Sequence, residues 1–202
     1  MIFDHLVVGA QTLAEAQACV EEALGVPMQQ GGQHSVFHTH NTLLGLEDAL
    51  YLEAIAPDPT LPDPDRPRWY DLDRFEGPAR LSNWACAIED METVLAGMPE
   101  GVGTPVDVAR GDFRWQMVVA PQGTTPFDNL WPALIAWPSR AHPAKRLTRS
   151  GVRLKRVTLV HPRAEQLAKG LSAHLKDPRV VVENGPIGMY AEFETPHGKR
   201  TL

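Results

Sequence analysis

The stretch IFDHLVVGAQTLAEA, residues 2–16, changes its apolar period partway along. Through Val8 it is rich in Val and Leu and alternates weakly in polarity, which predicts a strand with Phe3, His5 and Val7 on one side. At Thr12 the string T-L-A-E forms a capping box: the Thr12 hydroxyl accepts from the Glu15 amide, and the Glu15 carboxylate from the Thr12 amide. The helix LAEAQACVEEAL follows, with Leu13, Ala16, Val20 and Leu24 along one face and Gly25 as its C-terminal stop. Three strand patterns come next, around QHSVF (33–37), NTLLGL (41–46) and ALYLEAIA (49–56), with Gly45 and Glu47-Asp48 at the bend between the last two. The order is β-α-β-β-β.

A connector, PDPTLPDPDRPRW (57–69), then breaks all regular patterning, because its prolines remove backbone donors and force extended conformations. Beyond it the order repeats. LSNWACAI (81–88) reads as a strand, Asp90 caps a helix METVLAGM (91–98), and strands follow at TPVDVAR (104–110), FRWQMVVA (113–120) and LWPALIAW (130–137). The two units are offset by about 78 residues, and such a repeat survives an error in any single element. The tail supplies LKRVTLVH (154–161), the amphipathic helix RAEQLAKGLSAHL (163–175), RVVVEN (179–184) and GMYAEFET (188–195), a β-α-β-β unit. The predicted class is α+β. One domain is expected over 1–145, built of units 1–56 and 81–137, with 146–202 as a partial third unit packed on it.

Bulk properties narrow the function classes. Hydrophobic residues make up 43% and charged residues 22%, as in ordinary globular chains. No apolar run approaches the roughly 20 residues that span a bilayer, and no basic leader precedes the first strand, so the cytoplasm is the expected compartment and no membrane partner is expected. Cys19 and Cys86 lack metal or redox spacing and read as buried thiols. Charge is unevenly spread. Residues 1–138 hold 6 basic against 20 acidic side chains, and 139–202 hold 13 against 5, so the two parts carry −14 and +8. The basic run RAHPAKRLTRSGVRLKR (140–156) has no interleaved aromatic, and the acidic first part offers it an intramolecular partner; no nucleic acid is expected. Nucleotide-binding glycine motifs and the hydrolase G-x-S-x-G are absent.

The paired units, and the strings FDHLVVGAQTLAEA (3–16), THNTLLGL (39–46), YLEAIAPD (51–58), FRWQMVVAP (113–121) and PALIAWPSRAHPA (132–144), resemble the vicinal oxygen chelate superfamily, and within it the glyoxalase-like domain proteins of bacteria. The resemblance implies that each βαβββ unit curls into half of an open barrel of mixed sheet. It further implies a small-molecule ligand in the concavity and a divalent metal (Zn, Mn or Fe) held by the first and last strands of each unit. His5 and Glu53 are then the first unit's ligands. The 78-residue offset gives Asn83 in the second, and matching Pro57 to Pro138 gives Leu134, which cannot ligate. A homodimer is expected by analogy only.

His5 and Glu53 are the candidate catalytic residues and candidate metal ligands, because an imidazole and a carboxylate on neighbouring strands can converge. A metal there would act as a Lewis acid in a lyase, isomerase or dioxygenase; without one, Glu53 could serve as a base. The alternative is a buried Glu53 paired with Arg114 and hydrogen-bonded to His5, in a protein that binds its ligand without turnover. Arg114, Asn83, Trp115 and His40 are the candidate substrate-binding residues. His38 and His40 would share a side if FHTHN were extended, Trp69 and Tyr70 would form a lid or a loop anchor, and His142 would be solvated in the basic segment.

Overall fold

A computed structural model describes residues 1–137 and 142–202 of the chain. The first unit is β1 (Ile2–Gly9), α1 (Leu13–Leu24), β2 (Gln29–His34), β3 (Thr39–Gly45) and β4 (Tyr51–Pro57). The second is β5 (Arg80–Ala87), α2 (Met91–Leu95), β6 (Thr104–Arg110), β7 (Phe113–Val119) and β8 (Ala133–Ala136). They form one eight-stranded curled sheet in the order β2-β3-β4-β1-β5-β8-β7-β6. Each unit closes alike: the first strand runs parallel to the last (β1 with β4, β5 with β8), and β1 joins β5 antiparallel at the centre. The α+β class and the duplication expected from the sequence are both present.

Local chemistry explains the elements. The Thr12–Glu15 capping box is made in full, and Gly25 ends α1 at φ 72. Asp90 caps α2 through the Thr93 amide, but the helix stops at Leu95, because Gly97 and the Pro99-Glu100-Gly101 turn follow at once. The second strand differs from expectation. It occupies QQGGQH, and residues 35–38 turn instead, with His38 at φ 46. An edge strand with few apolar residues carries little periodicity to read.

The sheet separates two apolar layers. On its outer face Phe3, Leu6 and Val8 of β1 and Trp84 and Cys86 of β5 pack with Ala16, Val20 and Leu24 of α1. The tail shares this layer. Its elements β9 (Arg153–Val160), α3 (Ala164–His174), β10 (Val180–Glu183), β11 (Gly188–Thr195) and β12 (Gly198–Thr201) contribute Leu154, Val157, Leu167, Leu171 and Phe193. The tail's pairing order, β10-β9-β11-β12, is not that of the other units: β9 is parallel to its second strand, and β12 adds an exposed edge. Three bases of the basic segment meet acids of the first part, in the pairs Arg146–Asp112, Arg149–Glu47 and Arg153–Asp48; Arg140 lies outside the described residues. The inner face carries the second layer, including Val7, Ile55, Ala85, Trp115, Met117 and Ile135, and the connector's Trp69, Tyr70 and Leu72 are packed onto it. No described helix is long and apolar enough to cross a membrane.

Candidate functional site

A β-bulge makes the centre of the concavity. The β1–β5 register jumps between Phe3 and His5, so Asp4 is an extra residue. Phe3 therefore turns to the outer layer, contrary to the simple alternation, while Asp4 and His5 come within hydrogen-bonding reach of each other. His5, 1% exposed, donates from Nδ1 to Asp4 Oδ1 at 2.7 Å. That bond leaves Nε2 facing Glu53 Oε2 at 3.5 Å and the Tyr70 hydroxyl at 3.4 Å, and the ring stacks on Tyr51 at 4.4 Å. Asp4 Oδ2 accepts from Trp137 Nε1 and His142 Nε2, both at 3.0 Å. Burial opposes ionisation of Asp4, but the hydrogen bonds and charge of His142 and His5 hold its carboxyl well below the usual range.

A second string of residues places Glu53. The Gly31-Gly32 pair sits in an irregularity of the β2–β3 ladder, and a Cβ on Gly31 would lie 2.0 Å from Asn41 Oδ1. The closeness lets the Gly32 amide donate to Asn41 Oδ1 at 2.9 Å, which turns the Asn41 amino group toward Glu53 Oε1 as its donor. Asn41 also borders His34, whose Nδ1 meets Thr39 Oγ1 at 3.0 Å and whose Nε2 meets Arg110 Nη1 at 3.4 Å. Nε2 therefore accepts and Nδ1 carries the proton. Burial and then the Arg110 charge push the His34 pKa well below its ordinary value, so the ring is neutral. Burial, with the charges of Glu53 and Asp4, raises the Tyr70 hydroxyl well above 10.

His5, His34, Glu53, Tyr70, Arg110 and several aromatics enclose a cavity of about 10 Å³. That is room for one water, against the roughly 300 Å³ or more of an ordinary metabolite site. The aromatic walls (Tyr51, Trp69, Trp115, Trp137) fill the rest.

The expected residues divide accordingly. His5, Glu53 and Trp115 line the cavity. Asn83 is fully buried on β5; its Nδ2 donates to the Tyr70 carbonyl at 3.4 Å and its Oδ1 has no partner among the described residues, but it does not line the cavity. His40 lies between Thr39 and Asn41 on β3 and so points away from the side Asn41 uses. His38, at its turn, bonds Pro62 O instead. Arg114 is exposed and donates to the Gly111 and Phe113 carbonyls, so the cavity's cation is Arg110 and Glu53 has no Arg114 partner. His142 is bound to Asp4 rather than solvated. Trp69 and Tyr70 are both wall and cover. Asp4, His34, Asn41 and Arg110 were not singled out from the sequence. The one sequence cue was Gly31-Gly32 ahead of a histidine, a sign of close backbone approach.

Fit to a divalent metal can be judged from the donors. A catalytic zinc takes three protein ligands; here His5 and Glu53 are two, and the cavity's other imidazole, His34, has its Nε2 lone pair turned to Arg110 and Asn41. In the ladders Val7 pairs Glu53 and Ala85 pairs Ala133, so Glu53's counterpart is Ala133. Leu134, one residue on, belongs to the outer layer, as a one-residue slip requires; Pro138, which suggested it, lies outside the described residues. The second unit instead brings Arg110, a cation, to the cavity. No group of three or more His, Cys, Asp or Glu among the described residues is arranged to hold a metal ion. These residues do not make a metal centre.

The chain is similar to known structures over nearly its whole length. A crystal structure of a hypothetical protein from Staphylococcus aureus matches with a TM-score of 0.63 at 15% identity, covering 93% of this chain and 88% of that one. The Mn(II)-bound glyoxalase from Novosphingobium aromaticivorans matches at 0.54 and 12% identity, covering 99% and 81%. At such identities the likeness carries the fold, and the Mn(II) is that protein's own. No curated protein matches the chain. The family profile described as a glyoxalase-like domain matches residues 3–175, which takes in the two curled βαβββ units with their inner-face His5 and Glu53 and runs on through β9 and α3: this chain belongs to the glyoxalase-like domain family.

Proposed function

We propose that this protein moves a proton on a small anionic molecule in the concavity, without a metal. The observation that carries this is the Asp4–His5–Glu53 arrangement. A carboxylate fixes His5 Nδ1, so Nε2 is presented beside a buried carboxylate in a narrow cavity of low dielectric. Glu53, held by Asn41, is placed to take a proton from carbon or oxygen of the bound molecule. His5 Nε2 is placed to carry a proton to or from a neighbouring oxygen. Arg110 would meet the anionic group, in the role first expected of Arg114. Adjacent oxygens on the substrate, a carbonyl beside a carboxylate or hydroxyl, suit this set. Entry requires Tyr70 and Trp69 to withdraw, since the narrow cavity holds no more than a water.

Binding without turnover is the second reading, favoured by the five aromatic side chains of the wall, Tyr51, Trp69, Tyr70, Trp115 and Trp137, which suit holding a planar molecule. One experiment decides: proton NMR in D₂O with 2-oxo and 2-hydroxy carboxylates, comparing wild type with Glu53→Gln. Exchange at the carbon next to the carbonyl, abolished in Glu53→Gln and indifferent to EDTA, is the expected result. Line broadening without exchange supports sequestration, and exchange that EDTA abolishes would overturn the metal-free mechanism.

A further inference from the structure

A pocket of about 460 Å³ opens between the connector, β5 and β11, sharing Tyr70 with the inner cavity, and its size suits a small organic ligand. Its apolar wall includes Ile187 and Tyr190, which are 54% and 59% exposed and are two of three exposed large hydrophobic side chains among the described residues. Met189 and Leu81 add buried apolar surface beside them. Opposite stands Arg80, whose guanidinium lies 4.0 Å over the Phe75 ring and donates to the Glu76 and Pro78 carbonyls. The pocket's acids are otherwise engaged, Asp71 with Arg74 and Asp128 with His161, whereas Arg80 has no ion-pair partner among the described residues.

One further observation points to a ligand. Left-handed backbone at non-glycine residues borders the pocket from both sides, at Tyr70 and Asp71 and at Asp128 and Asn129. Strain of this kind concentrates at functional sites. The wall from Ile187 to Tyr190 lies beyond the residues that match the family, whereas Arg80 and the connector's side of the pocket lie within them.

We propose that this pocket binds a small amphipathic carboxylate. Its ring or branched chain packs on Ile187, Met189 and Tyr190, and Arg80 donates to its carboxylate. The site does not depend on the proton-transfer chemistry at Glu53. Titration calorimetry of the full chain with 4-phenylbutyrate tests it, with the neutral amide of the same acid as control. Saturable one-to-one binding is expected, at least tenfold weaker in Tyr190→Ala, in Ile187→Ser, in Arg80→Gln and for the amide, and unchanged in Glu53→Gln. All three pocket substitutions are at exposed positions, and unchanged melting temperatures would show that the variants fold. Absence of saturable binding to folded wild type overturns the proposal. So does equal affinity for acid and amide, or loss of binding in Glu53→Gln, which would move the probe into the inner cavity.

Discussion

His34 shows what a single buried ring contributes here. It is neutral in the fold, because burial and Arg110 disfavour its charged form. In the unfolded chain it titrates near 6.5. Below that pH the unfolded state binds a proton that the native state refuses, so this part of the stability is present above about pH 6.5 and falls as the pH drops. Wild type should lose up to about 1.4 kcal/mol per pH unit from this group between pH 6.5 and 5, and His34→Gln should flatten that slope in urea titrations. Asp4 works in the carboxylate sense. Its contribution is present above about pH 3.9 and is lost on further acidification. The sequence offered His5 and Glu53 through the family resemblance, with strand alternation allowing the two to share a face, and both sit at the cavity. It could not offer Asp4, because the bulge that turns Asp4 toward His5 leaves no mark in apolar periodicity. Arg114 and Arg110 were exchanged for a similar reason: facing depends on a register that only the folded ladders fix.

At the scale of elements, the connector is the piece most tied to function. It lays Trp69 and Tyr70 over the inner face, and it is held there by the turn at Gly123. Gly123 has φ +76 and accepts from the Asp71 amide at 3.0 Å, and a Cβ there would meet Arg68 O at 2.0 Å. Gly123→Ala should therefore destabilise by about 1–3 kcal/mol, from the left-handed backbone and from displacing the Arg68 carbonyl. It should also raise the accessibility of Trp69 to an aqueous quencher, since the cover must shift. Unchanged denaturation and quenching would mean that the connector is not anchored at this turn. Elements with local signals were legible: the capping box, the Gly25 stop, the proline-rich break. Polar edge strands were not. QQGGQH at 29–34 and the fully exposed β12, GKRT, lack a buried face, so no alternation announces them.

Across the whole molecule, the duplication was legible because two copies of one order reinforce each other, whereas the tail's pairing was not. Its strand, helix and two strands resemble a third copy in sequence. Yet β9 pairs its second strand in parallel, which only long-range contact can determine. The outer apolar layer runs from α1 through β5 into β9, α3 and β11, so both sheets should melt together. Phe193, 1% exposed in that shared layer, should cost about 3–5 kcal/mol on Phe193→Ala and lower a single calorimetric transition rather than split it. Two separated transitions would show that the tail folds on its own core.

The central claim is that the concavity is complete without a metal, because the second unit's ligand positions hold Asn83, which does not line the cavity, and Ala133, while the side chain it brings there is the cation Arg110. Titration of metal-stripped protein with Mn(II) and Zn(II), followed by calorimetry in wild type, His5→Ala and Glu53→Gln, tests it most directly. The expected result is no stoichiometric binding that either substitution removes. One equivalent bound by wild type and lost in both variants would contradict the account.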